Sequence, residues 1–255
     1  MANEAATLRA RLSALFSRIT TVLSPNRSSR GGAPVRAIVI HTTEGSYRGT
    51  IEWFKRSGVS VSSHYVVSDL DTGGDFTEVT RMVPEGEKAW TALSANPTTI
   101  NYELAGFASR TRQEWLGPYR TQLDTAAALA AEDTLEYSIP VVHGYPGILG
   151  HVDLTRYGFP QTHWDPGPGF PWDVFLDRVH GFRALALAPE PREQTVRKRT
   201  RPKDAPTRIP KWAWRLDRWQ FHRLGGVEPR PKHPTPLPAW YWPWRAWLHG
   251  LDSHK

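Results

Sequence analysis

Gly150-His151-Val152-Asp153-Leu154-Thr155-Arg156-Tyr157-Gly158 runs on through Phe159-Pro160-Gln161-Thr162 to His163-Trp164-Asp165-Pro166-Gly167-Pro168-Gly169-Phe170. Two histidines and two aspartates stand here among glycines and prolines. Because glycine and proline punctuate regular structure, the stretch reads as an ordered loop built around polar groups. Imidazole and carboxylate are the side chains that suit Zn2+ where no thiolate is on offer, and the chain has no cysteine. A catalytic zinc takes three protein ligands and keeps one position for water. His151 and Asp165 are candidates for two of the three. His41, which ends the apolar run Ala37-Ile38-Val39-Ile40, is the candidate for the third.

Outward from this loop, strands alternate with helices. Arg36 to Ile40 reads as a short buried strand from its β-branched run. A helix is expected over Tyr47 to Arg56, ending at Gly58, and strands over Val59 to Ser68, Phe76 to Val83 and Thr98 to Gly106. Thr121 to Tyr137 is an Ala-rich helix, and Trp172 to Leu187 is the last helix of the body. This interleaving predicts an α/β domain over residues 35–187, a mixed β-sheet flanked by helices. Ahead of it, residues 1–24 are expected to form an amphipathic helix, since Leu8, Leu12, Leu15, Phe16, Ile19 and Leu23 recur at three- and four-residue spacing. Two readings of that helix stand: packing against the main domain, or lying on a membrane surface.

Four motifs in order carry a resemblance: His41-Thr42 at a strand end, Glu103 within Ile100-Asn101-Tyr102-Glu103-Leu104-Ala105-Gly106, Gly150-His151, and Asp165-Pro166-Gly167. Together, over roughly Val35 to Leu187, they resemble the zinc-dependent N-acetylmuramoyl-L-alanine amidases, the family that also contains the peptidoglycan recognition proteins. The resemblance implies one Zn2+ held by His41, His151 and Asp165, with peptidoglycan as substrate. It implies that Glu103, a carboxylate in an otherwise apolar strand, is the general base or orients the water. Some members carry a lysine where His163 stands, assigned to the oxyanion. His163 is a candidate for that role as imidazolium, or for proton donor to the departing amine. A rival scheme makes His163 the ligand and Asp165 its support. His64 sits in a Ser-Ser-His-Tyr setting that the family shows near its cleft, so it is a candidate substrate contact, as is Thr42. Trp90 and Trp164 are candidate sugar-stacking platforms, and Asp153 a candidate acceptor that orients a ligand histidine.

The net charge of +7 is unevenly spread: residues 190–255 hold 15 Lys and Arg against 6 Asp and Glu. Residues 188–210 read as a basic, Pro-rich linker with little apolar material to fold. Beyond it, in residues 211–255, Trp212, Trp214 and Trp219 recur as Trp240, Trp242 and Trp247, each shifted by 28 residues together with a leading proline. This Trp-rich module, expected to be helical, has three readings: a small core of its own, a surface for peptidoglycan or an anionic wall polymer, or a membrane-interface contact. No recognised nucleic-acid motif accompanies the charge, so no nucleic-acid partner is expected. Arg9, Arg11 and Arg18 interrupt the N-terminal apolar positions, so neither a signal peptide nor a membrane span is expected. That architecture suits a phage endolysin, made in the host cytoplasm and released to the wall for lysis. A wall-binding protein of the same fold without catalysis, and a zinc peptidase cutting within the peptide stem, are the competing expectations.

Overall fold

The computed structural model describes residues 2–71 and 73–188. Helix α1 (Ala2–Ser17) leads into strands β1 (Thr20–Thr21), β2 (Arg27–Ser29) and β3 (Ala37–Thr42). Helix α2 (Tyr47–Phe54), strands β4 (Tyr65–Val67), β5 (Val79–Arg81) and β6 (Glu87–Ala89), and a 3-10 turn at Leu93–Thr98 follow. Then come β7 (Thr99–Leu104), α3 (Arg112–Leu116), α4 (Arg120–Glu136), β8 (Gly147–Gly150), a second 3-10 helix at His151–Tyr157, and α5 (Trp172–Leu187). Six strands form one mixed sheet in the order β1-β5-β4-β7-β3-β8, in which only the β4–β5 pair is antiparallel. A separate antiparallel ribbon joins β2 to β6.

Alternation along the central strands divides the core. Ile38 and Ile40 of β3, Ile100, Tyr102 and Leu104 of β7, and Ile148 of β8 face the layer made by α4 and α5. Burying each such side chain contributes about 1.5–3 kcal/mol. Alanines 126, 127, 130 and 131 are buried, and this small-residue face lets α4 lie close on the sheet. The opposite face carries Ala37, Val39 and Leu149 in a smaller cluster. Continued past Val39 and Leu149, that face presents His41 and His151, so strand parity itself carries both histidines to one side.

The N-terminal helix is shorter than its periodicity predicts. It ends at Ser17, and the β-branched Thr20 and Thr21 pair in parallel with Thr80 and Arg81. Leu12 and Leu15 are buried in the main core, which is the packing reading of this helix. The expected strand from Val59 to Ser68 contracts to Tyr65–Val67, because Ser62 and Ser63 are tied by their hydroxyls: Ser62 Oγ donates to Asn26 O at 2.5 Å and Ser63 Oγ to Asn101 O at 2.7 Å. The strand expected over Phe76 to Val83 contracts likewise, to Val79–Arg81. Among the described residues no helix is long and apolar enough to cross a membrane. The basic linker and the repeat tryptophans Trp212, Trp214, Trp219, Trp240, Trp242 and Trp247 lie outside the described residues.

Candidate metal centre

Three neighbouring parallel strands end on one rim, where the carboxyl ends of such strands make a crevice. β3 delivers His41, and β7 delivers Glu103 directly opposite it in register. β8 hands over at Gly150 to His151. Asp165 arrives from the far end of the loop, its carbonyl accepting the Val152 N–H at 3.0 Å. Gly167 holds that return in place: with φ of +86° it passes so close to Ala108 that a Cβ would stand 1.8 Å from the Ala108 oxygen. Only glycine meets both demands.

The three side chains converge. His41 Nδ1 lies 3.0 Å from His151 Nδ1 and 3.2 Å from Asp165 Oδ2, while His151 Nδ1 lies 3.3 Å from Asp165 Oδ1. All three residues are buried, and among the described residues they form the one metal-ligand cluster. A tetrahedral zinc with ligand bonds of about 2.0–2.2 Å sets its ligands roughly 3.3–3.6 Å apart. Donor types, spacing and burial therefore fit a zinc ion.

Electrostatics favour the ligand forms of His151 and Asp165. Burial, with His41 beside it, lowers the His151 pKa to about 4, which leaves its imidazole neutral at neutral pH. Burial opposes charge on Asp165, but hydrogen bonds from His151 and His41 outweigh it and hold the carboxyl well below the usual range. Burial likewise opposes charge on His41, and Asp165 overcomes it and raises that pKa. Glu103 is pushed up to about 7 by burial, helped by Asp165 and Glu44 against the pull of His41. Its Oε2 is buried with no hydrogen-bond partner.

A cleft of about 630 Å3 opens over the cluster, bordered by Glu103, Thr42, His163, Trp90 and Trp164 among others. His163 stacks on His151 with ring centroids 4.2 Å apart and planes at 11°. Its side chain is 61% exposed and its Nδ1 is 3.8 Å from Asp165 Oδ1, so it stands beside the cluster of three. Trp164 is 53% exposed at the rim, whereas Trp90 is tied down by its Nε1–H donating to Ser28 Oγ at 3.0 Å.

Two expected site residues are elsewhere. His64 is fully buried and does not reach the cleft. Its Nδ1 accepts the Asn101 backbone N–H at 3.0 Å, and its Nε2, 3.1 Å from the Glu87 carbonyl, donates there. Burial and then the Arg30 guanidinium lower its pKa to about 3, so it is a neutral pin between strands and stands apart from the residues that line the cleft. Asp153 supports no ligand histidine directly. Its Oδ2 accepts the Gly150 N–H at 3.0 Å and sits 2.9 Å from His143 Nε2, and His143 in turn stacks on Trp172. The carboxylate thus caps the 3-10 helix that begins at His151.

Two residues near the site had no role in the sequence reading. Glu44, with φ of +50°, accepts the Thr42 hydroxyl at 3.1 Å and the Ala108 N–H at 2.7 Å, and so ties the end of β3 to the segment on which Gly167 rests. Asn101 accepts from His41 Nε2 at 3.1 Å. Its place two residues before Glu103 on the same strand face was the available signal.

Residues 31–168 match the family model described as N-acetylmuramoyl-L-alanine amidase. N-acetylmuramoyl-L-alanine amidase A of Achromobacter lyticus is 29% identical over 178 residues, which are 62% of this chain and 90% of that protein. AmiD of Escherichia coli (strain K12), also an N-acetylmuramoyl-L-alanine amidase, is 28% identical over 172 residues, 62% of this chain and 59% of that protein. The fold is shared with the Staphylococcus aureus hydrolase AmiA (TM-score 0.53, 17% identity, 66% of this chain and 84% of that one). It is shared too with AmpD (TM-score 0.50, 20% identity, 65% and 94%). The matched segment includes His41, Glu103, His151 and Asp165, so the chain belongs to the N-acetylmuramoyl-L-alanine amidase family of enzymes.

Proposed function

We propose that His41, His151 and Asp165 hold one Zn2+ and that the chain hydrolyses the amide between the lactyl group of N-acetylmuramic acid and the L-alanine of the peptide stem. The observation that carries this is the convergence of three buried ligand atoms within 4.8 Å of one another at the floor of a cleft. When bound, the ion polarises the scissile carbonyl and lowers the pKa of the attacking water. Glu103, basic for a carboxylate because it is buried, accepts a proton from that water. The water oxygen bonds to the lactyl carbonyl carbon and the C–N bond breaks. His163, at the rim, gives the proton that the departing L-alanine nitrogen requires. The products are a lactyl carboxylate and a stem peptide with a free amino terminus. Thr42, Trp90 and Trp164 border the space into which the glycan and stem fit. Mass spectrometry of digested peptidoglycan tests this: stem peptides beginning at L-alanine support it, and new termini between stem residues would show a peptidase instead.

An endolysin-type lytic role belongs to the same proposal, with the enzyme released from the host cytoplasm to the wall. It is supported by the 15 Lys and Arg and the repeated tryptophans of residues 190–255, which suit retention on an insoluble, polyanionic polymer. Retention raises the local concentration of the catalytic domain without any new contact at the cleft.

A further inference from the structure

A directional chain of hydrogen bonds runs from His41 into the sheet, away from the ligand cluster. Asn101 Oδ1 lies 3.1 Å from His41 Nε2, Asn101 Nδ2 lies 3.2 Å from Thr99 Oγ1, and Thr99 Oγ1 lies 3.1 Å from the Ala95 carbonyl. Ala95, Thr99 and Asn101 are fully buried and His41 is almost so; the Ala95 carbonyl also accepts from the Thr98 hydroxyl at 3.3 Å, while the Thr99 and Asn101 side chains find their partners within this chain of contacts.

The direction follows from the far end. A carbonyl oxygen only accepts, so the Thr99 hydroxyl spends its single proton on Ala95 and can only accept from Asn101. The Asn101 amide therefore turns its NH2 to Thr99 and its oxygen to His41. In the neutral imidazole, the form that a metal binds, an oxygen facing Nε2 holds the proton on Nε2 and leaves Nδ1 with a bare lone pair. That Nδ1 is the atom 3.0 Å from His151 and 3.2 Å from Asp165.

The opposite arrangement is self-consistent but incompetent. With the amide reversed, Thr99 would turn from Ala95, the amide NH2 would face Nε2, and the remaining imidazole proton would sit on Nδ1, pointing into the ligand cluster. The orientation of one amide thus separates a ligand from a blocked ligand. The backbone of Asn101 is itself pinned, its N–H by His64 Nδ1 at 3.0 Å and its carbonyl by the Ser63 hydroxyl at 2.7 Å.

We propose that Asn101 is a positioning residue whose amide, oriented by Thr99, locks His41 in the Nε2-protonated tautomer and so makes its Nδ1 available to the metal. This rests on the reading of the cluster as a zinc site. Partners of this kind affect metal affinity by about 10- to 100-fold when removed. The test is the zinc affinity of the full chain, measured by competition with a chromophoric chelator, for wild type, Asn101→Leu, Asn101→Asp and Thr99→Val, with a thermal melt of each metal-free protein. Asn101→Leu is expected to weaken zinc by about 10- to 100-fold. Thr99→Val, near in shape and retaining the amide, should weaken it less, and Asn101→Asp, which restores the acceptor without an NH2 to flip, should bind like wild type. In the zinc-loaded wild type, nitrogen-15 NMR should show a slowly exchanging proton on His41 Nε2. A loaded wild type with that proton missing, or Leu and Val variants that bind zinc as wild type does, would overturn the inference while leaving the zinc site intact. A wild type that takes up no zinc would overturn the site itself and this inference with it.

Discussion

Gly167→Ala is the perturbation whose size the structure lets one work out. The added Cβ would stand 1.8 Å from the Ala108 oxygen and 2.8 Å from its carbonyl carbon. Ordinary contact begins near 3.4 Å, so the two backbones must part by about 1.6 Å. Ala108 cannot yield freely, because its N–H is held by Glu44 at 2.7 Å. A non-glycine residue at φ of +86° adds about 1–2 kcal/mol, and forced overpacking about 1–3 kcal/mol. At ~2–4 °C per kcal/mol for a domain of this size, the combined penalty of about 2–5 kcal/mol should lower Tm by roughly 4–20 °C. Asp165 lies two residues upstream, so the displacement also reaches the ligand cluster, where ~1 Å is worth about 100-fold in rate. Gly158→Ala is the internal control: φ is +84° there, yet nothing lies within 4 Å of the added Cβ. It should show the backbone penalty alone and keep full zinc affinity and activity. Thermal melts and zinc titrations of the two variants side by side are the assay. Equal Tm values, with wild-type zinc affinity in Gly167→Ala, would refute the role given to the loop return.

Three further outcomes are expected. Glu103→Gln keeps the shape of the side chain but removes its basicity, so kcat should fall by about 100- to 10,000-fold with zinc content unchanged; loss of zinc would show that Glu103 is a ligand instead. Asp133 is buried against the Tyr102 hydroxyl and its pKa is raised well above normal by burial and then by Glu85, so the folded state binds its proton more tightly than the unfolded state. Its contribution to stability is therefore present below about pH 4 and is lost as pH rises towards the folded value. Asp133→Asn should flatten that loss in melts taken from pH 5 to 9, whereas an unchanged slope would contradict the assignment. Substituting Trp212, Trp214, Trp240 and Trp242 by alanine should release the enzyme from insoluble wall in a pull-down while cleavage of a soluble muropeptide is unaltered. Equal retention would remove the tail from the account.

The elements of the fold were legible where chemistry and periodicity coincide. His41 closes a β-branched run, and His151 and Asp165 are metal-ligand types in a Gly- and Pro-rich loop, so each carries its own local signal. The α4 helix was equally plain from its alanines. What escaped depends on contacts remote in sequence. Thr20 and Thr21 make too short a strand to show any period, and their pairing with β5 comes from more than fifty residues away. His64 sits in a setting that suggests a cleft, but its burial follows from the Arg30 and Glu87 segments closing over it. Asp153 was read as an acceptor that orients a ligand histidine, but the histidine beside it is His143, a residue without spacing signal. Asn101 looks in the sequence like any polar residue of a strand edge; its meaning lies in the direction of hydrogen bonds through Thr99 and Ala95, which no linear pattern encodes.

We propose that one zinc ion, held by His41, His151 and Asp165, makes this chain an amidase. The most direct measurement is zinc stoichiometry by elemental mass spectrometry on wild type and Asp165→Ala, with amide cleavage of a defined muropeptide followed in the same samples. One zinc per wild-type chain is expected, with an Asp165→Ala protein that remains folded but loses the metal and cleavage together. Cleavage persisting in a zinc-free Asp165→Ala protein would contradict it.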